Sequence, residues 1–210
     1  MIALVDYGAG NLRSVEFALD RLGVAHRRAR TPDDLGSARG VVLPGVGAAA
    51  SAMAALTEAG WPDELRERRR PLLGVCLGMQ LLCESSEENA GNGSVTECLG
   101  LVPGTVRRFG WDGPGRSDGP PVPHMGWSRV SCDASDPLFR DVGSDDWFYF
   151  LHTFRVDCPE SVVSGTASYG ETFPAALRSG NVAGVQFHPE KSERAGARML
   201  ANFCEECATC

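Results

Sequence analysis

Uniformly apolar runs, rather than alternating ones, constrain this chain most. Ile2-Ala3-Leu4-Val5, Val41-Val42-Leu43 and Leu72-Leu73-Gly74-Val75 leave no position for water on either side. A strand built that way is covered on both faces, the condition of a parallel sheet. Helical patterns lie between the runs. Leu12, Val15, Ala18, Leu19 and Leu22 form one stripe ended by Gly23. Residues 48–59 read as a second helix, and 65–70 as the end of another stopped by Pro71. Residues 77–84 read as a further helix directly after the third run. The alternation predicts an α/β fold, a central mostly parallel sheet flanked by helices.

The second half changes character. Short strands are expected at 102–109, 127–131, 147–151, 162–168, 175–178 and 182–187, as antiparallel additions to the sheet edge. A last helix should run from Arg194 to about Cys207. Residues 112–123 are too rich in Gly and Pro for regular structure and predict a surface loop. With no repeat and no linker, one domain over 1–210 is expected.

Composition narrows the function classes. With 27 acidic and 20 basic residues the net charge is −7, against a grip on nucleic acid. No apolar stretch approaches the roughly 18 residues of a membrane span. Asp6 and the missing basic leader make the N-terminus a core strand, so a cytoplasmic location is expected. In that compartment eight cysteines do not read as a disulfide framework. Cys204, Cys207 and Cys210 form a C-x-x-C-x-x-C tail that reads as a helical end, since no His or second Cys pair completes a metal site. Nineteen of the 20 basic residues are arginine, and the one lysine is Lys191.

Gly74-Val75-Cys76-Leu77-Gly78 sits where a buried strand meets a helix. It is a nucleophile-elbow pattern with sulfur as nucleophile. Glycines two residues either side relieve the crowding of so sharp a bend, and a helix N-terminus favours negative charge on sulfur. The Leu77 N–H is placed to meet an oxyanion. A thiolate nucleophile needs a base. Of the four histidines, His188 follows an apolar run, at the strand end where catalytic groups of open sheets collect. Glu190, two residues on, is close enough to orient the imidazole.

Gly-Val-Cys-Leu-Gly-Met-Gln (74–80) and Gln-Phe-His-Pro-Glu (186–190) resemble the signature blocks of class I glutamine amidotransferases. Residues 6–15, Leu43-Pro44-Gly45-Val46-Gly47, Pro123-His124-Met125-Gly126-Trp127, 148–154 and Pro189-Glu190-Lys191-Ser192 are similar to the glutaminase subunits of imidazole glycerol phosphate synthase. The resemblance implies a flavodoxin-like scaffold and hydrolysis of glutamine through a thioester by Cys76, His188 and Glu190. It implies an oxyanion held by the N–H groups of Val46 and Leu77, the former after a peptide flip. Gly47, Gln80 and the main chain at Thr153 and Phe154 would hold glutamine. Asn11, His124, Trp127 and Lys191 would face a (β/α)₈ barrel cyclase subunit that receives the ammonia in histidine biosynthesis. No metal, flavin or nucleotide cofactor is implied. Phe154 stands where the family often has Tyr, and Ser128 where Asn is usual. A glutaminase of another synthase, a stand-alone thiol hydrolase and a non-catalytic module remain as alternatives.

Overall fold

The carboxyl ends of five parallel strands gather on one edge of the fold. The structure is a computed structural model, and it describes residues 1–67, 69–88, 95–111, 119–143 and 146–209. These strands are β1 (Ile2–Val5), β2 (His26–Ala29), β3 (Gly40–Gly45), β4 (Leu72–Cys76) and, far later in the chain, β14 (Val182–Val185). They stand in the order β2-β1-β3-β4-β14, the doubly wound arrangement of flavodoxin-like sheets. Three antiparallel strands extend the sheet beyond β14: β13 (Glu171–Ser179), β12 (Val163–Tyr169) and β9 (Ser131–Cys132). A two-stranded sheet pairs β8 (His124–Arg129) with β10 (Trp147–His152). Four short strands make the last sheet: β5 (Ser85–Ser86), β6 (Thr96–Glu97), β7 (Thr105–Arg108) and β11 (Phe154–Asp157).

The helices are α1 (Leu12–Arg21), α2 (Ala49–Glu58), α3 (Trp61–Arg66), α4 (Leu77–Leu81) and α5 (Glu193–Thr209). Their apolar faces explain the uniform strands. Ala3, Val5, Val41, Leu43 and Leu72 face a core with Met53, Leu56, Trp61 and Leu81. Ile2, Leu4, Val42, Leu73 and Val75 face a second core with Val15, Leu19, Met199 and Phe203. At roughly 1.5–3 kcal/mol for each large apolar side chain fully buried, the two layers supply the main stabilisation of the sheet.

Two sequence expectations need correction. Residues 182–185 form an interior parallel strand, not an antiparallel edge; all four are buried, and β4 pairs in parallel register along them. Residues 105–108, 124–129 and 147–152 do not extend the main sheet. They form separate sheets, and the inner face of β10 packs Phe148 and Phe150 against Phe187, at 4.2 and 5.8 Å between ring centroids. Strands β2, β5, β6 and β11 lie outside the sequence expectations; the His-Arg-Arg-Ala of β2 has the polar look of an edge strand. Arg68 of the expected helix end, residues 112–118 of the expected loop, and Cys210 lie outside the described residues. Cys204 and Cys207 lie on α5, as the tail reading requires. Among the described residues no helix is long and apolar enough to cross a membrane.

Where β4 gives way to α4, the chain passes very close to β3. A Cβ on Gly78 would lie 1.8 Å from the Leu43 carbonyl oxygen, and one on Gly74 would lie 2.7 Å from the Gly78 carbonyl. Both neighbours are backbone, so neither can swing away. Gly78→Ala is therefore expected to lower unfolding free energy by about 3 kcal/mol or more, read by urea denaturation. An unchanged midpoint would show that α4 is not seated by this contact.

Candidate active site

The bend forces Cys76 to φ 55° and ψ −113°. That left-handed region costs a non-glycine residue about 1–3 kcal/mol, and the surrounding packing holds it there. Gly45 of β3 pairs with Cys76, and Val185 of β14 pairs with Val75. The ends of three adjacent strands thus bring together Val46 and Gly47, Cys76 and Leu77, and Gln186 through His188. Helix α4 has five residues rather than the expected eight, so few aligned peptide dipoles point at the sulfur.

A tight turn aims His188. Its N–H donates to the Tyr149 carbonyl at 2.8 Å, and its own carbonyl accepts from the Ser192 hydroxyl at 2.6 Å. Ser192 Oγ in turn accepts from the Tyr149 N–H at 3.0 Å. Nδ1 of the ring meets Glu190 Oε1 at 2.9 Å, with both side chains buried. Burial alone would lower the pKa of this ring. Hydrogen bonds to Cys76 and Glu190, and the negative charge of both, outweigh it and push His188 up to about 10. The ring is thereby held as a proton carrier beside the Cys76 sulfur.

A cavity of about 320 Å³ opens over this pair. It is lined by Val46, Gly47, Leu77, Gln80, Thr153 and Phe154, and Asn11 and Lys191 also reach its wall. The size is that of a small-molecule site. Gln80 is buried rather than on a helix surface, and its Nε2 donates to the Phe154 carbonyl at 3.0 Å and to Gln186 Oε1 at 2.9 Å. Behind the Gly45–Gly47 turn, the Tyr7 hydroxyl donates to the Pro44 carbonyl at 3.1 Å. Burial, then the nearby Cys76, raise the pKa of that phenol, so it stays a donor.

Sequence reasoning does not single out Gln186, His152 or Glu88 as site residues. Gln186 is wholly buried and points Nε2 at Cys76 Sγ, 3.8 Å away. His152 lines the wall. Glu88 is the acidic side chain of the lining, and its Oε2 accepts from the Ala49 N–H at 2.6 Å. Of the residues expected to face a partner, Asn11, Trp127 and Lys191 are exposed. His124 corrects that expectation: it is 2% exposed and turned inward against His152. No cluster of metal-ligating side chains occurs among the described residues.

The pattern of the class-I glutamine amidotransferases matches residues 3–207. The imidazole glycerol phosphate synthase subunit HisH of Vibrio cholerae is 42% identical over 205 residues, covering 97% of this chain and 98% of that protein. The same subunit of Desulfovibrio desulfuricans is 46% identical over 212 residues, covering 99% and 95%. The chain belongs to the class-I glutamine amidotransferase family. Among solved structures, a crystal structure described as a glutamine amidotransferase superposes with a TM-score of 0.73 at 23% identity, covering 99% of this chain and 98% of that one. The structure of PurLQS from Thermotoga maritima gives 0.70 at 19%, covering 98% and 97%. At such identities these two speak for the fold alone.

Because the His188 pKa is raised on folding, the ring stabilises the folded chain fully below its ordinary value near 6.5. That contribution is lost as pH climbs through about 10. Glu190→Gln removes one of the charges holding the proton. In an NMR titration of the histidine rings, His188 of this variant is expected to deprotonate at lower pH than in the wild type. Coincident titrations would remove Glu190 from the assembly.

Proposed function

We propose that the chain, one domain over residues 1–210, is the glutaminase subunit of an imidazole glycerol phosphate synthase. Its product ammonia passes to a (β/α)₈ barrel cyclase subunit for histidine biosynthesis. The observation that carries the chemistry is the His188 ring, its Nδ1 2.9 Å from Glu190 Oε1, standing with Cys76 in the lining of one cavity. The observation that carries the pathway is the likeness to HisH subunits over nearly the full chain.

In the first half-reaction the Cys76 sulfur attacks the side-chain amide carbon of glutamine. The oxyanion that forms is received by the N–H groups of Leu77 and Val46, each worth on the order of 10²-fold in rate or more. His188 gives its proton to the departing nitrogen, and ammonia leaves behind a γ-glutamyl thioester on Cys76. Water then attacks the thioester carbon, His188 takes its proton, and glutamate departs with the thiolate restored. Glu190 keeps Nε2 of the ring toward the sulfur throughout. Gln80, Gly47 and the main chain at Thr153 and Phe154 hold the substrate. The Glu88 carboxylate supplies the charge that an α-ammonium group requires.

The outer face of the β8–β10 pair is the surface offered to the cyclase. Met125 stands opposite Leu151 and Trp127 opposite Tyr149. Met125, Trp127, Trp147 and Leu151 are all exposed, as is Lys191, whose Nζ lies 5.5 Å above the Tyr149 ring. Aromatic and apolar side chains so grouped mark an interaction site. The hydrogen bonds of Tyr149 to His188 and Ser192 connect that surface directly to the catalytic turn.

Two measurements test this reading. Mixed with a barrel cyclase and the cyclase's ligand, the chain should hydrolyse glutamine at least about tenfold faster than alone, and Cys76→Ser should abolish turnover in both settings. Activation by a different synthase, or full activity of the serine variant, would overturn the assignment. Glu88→Gln should raise the KM for glutamine about tenfold with kcat little changed. An equal fall in kcat would place Glu88 in the chemistry instead.

A further inference from the structure

Two buried imidazoles, one of them in the pocket wall, take no part in the chemistry above. His124 and His152 are 2% and 6% exposed and stand opposite each other on β8 and β10. His124 stacks on Tyr169 at 4.0 Å and on Phe150 at 4.8 Å, with Phe173 edge-on to it. Phenylalanine would pack well in such surroundings, whereas an imidazole must satisfy two ring nitrogens.

All four nitrogens have partners, and the donors and acceptors allow one direction only. A carbonyl can only accept, so His152 Nδ1 donates to the Phe154 oxygen at 2.8 Å. His152 Nε2 then accepts from His124 Nδ1 at 3.0 Å. His124 Nε2 in turn accepts from the Ser128 hydroxyl, also at 3.0 Å. Burial holds both rings neutral, with His124 pushed down to about 4 and His152 to about 3. The chain continues on the other side of the carbonyl. Phe154 oxygen also accepts from Gln80 Nε2, whose second hydrogen goes to Gln186 Oε1. That leaves Gln186 Nε2 facing the Cys76 sulfur at 3.8 Å.

We infer that His124 and His152 are positioning residues for glutamine hydrolysis, fixing the Phe154 carbonyl and, through it, the Gln80 and Gln186 carboxamides against Cys76. Their chain of hydrogen bonds starts at Ser128, next to exposed Trp127, and ends at the nucleophile. A shift of β8 is therefore transmitted to the pocket as a reorientation of amide groups. The inference rests on the glutaminase reading and adds to it two residues that line up the binding wall.

The test compares His124→Phe, His152→Phe and His124→Asn in the full chain with its cyclase partner. Asparagine can place its amide nitrogen near that of Nδ1, preserving the bond to His152. The phenylalanine variants should raise the KM for glutamine about fivefold or more, with kcat changed less and the unfolding midpoint close to wild type. His124→Asn should restore KM to within about twofold. In two-dimensional NMR of the isolated chain, the side-chain amide signals of Gln80 and Gln186 should move in His124→Phe, while that of Asn202, on α5, stays. Unmoved glutamine amides would overturn the inference, as would kinetic losses that merely track the unfolding midpoint or no rescue by asparagine. The NMR arm needs no turnover. A wild-type chain unable to hydrolyse glutamine would therefore defeat the functional reading, while the amide shifts still decided the coupling.

Discussion

The bare backbone of Gly78 against the Leu43 carbonyl governs the geometry of the whole site. Only without a side chain can α4 settle so far onto β3, and only then must Cys76 adopt its positive φ. The sulfur is lifted out at the strand ends instead of lying in the strand. The same approach places Leu77 beside Gly45, at the entrance of the turn that carries Val46. Cys76, Leu77 and the Val46 turn are thus brought together by one backbone contact, stabilised by two apolar layers that pack against the sheet from opposite sides.

Much of this is legible in the sequence because it is local. Consecutive apolar residues announce a strand covered on both faces, and G-x-C-x-G announces a crowded bend, within a few residues of the atoms concerned. The two-residue spacing of His188 and Glu190 makes their hydrogen bond nearly unavoidable. Residues whose placement depends on distant chain segments are not legible in that way. Glu88 reaches the pocket through a contact with Ala49, and Gln186 is held near the Cys76 sulfur through one with Gln80. Neither spacing suggests a partner. His124 differs from its expected place for another reason. The block from Pro123 to Trp127 has the look of one surface feature, but in a strand successive side chains alternate. Met125 and Trp127 point outward, so His124 must point inward. The parity is present in the sequence, and it prevails over the motif as a unit.

The β8–β10 pair has two chemically distinct faces. The outer one is wide, aromatic and exposed. The inner one carries Phe148, Phe150, His124 and His152, tied to the catalytic floor by directional bonds. An apolar inner face would tolerate sliding, since dispersion contacts have little angular preference. The polar links do not, because each ring has one admissible tautomer and each amide one admissible flip. What docks on the outer face is thereby registered at the sulfur with little slack.

Lys191 has a practical consequence. With every other basic side chain a guanidinium, the ε-amine beside the Tyr149 ring shares its reactivity only with the chain's amino terminus. Amine-directed labels and crosslinkers are confined to those two places, one of them at the rim of the cavity. A fluorophore attached at that amine would report on entry to the pocket and on whatever closes over it.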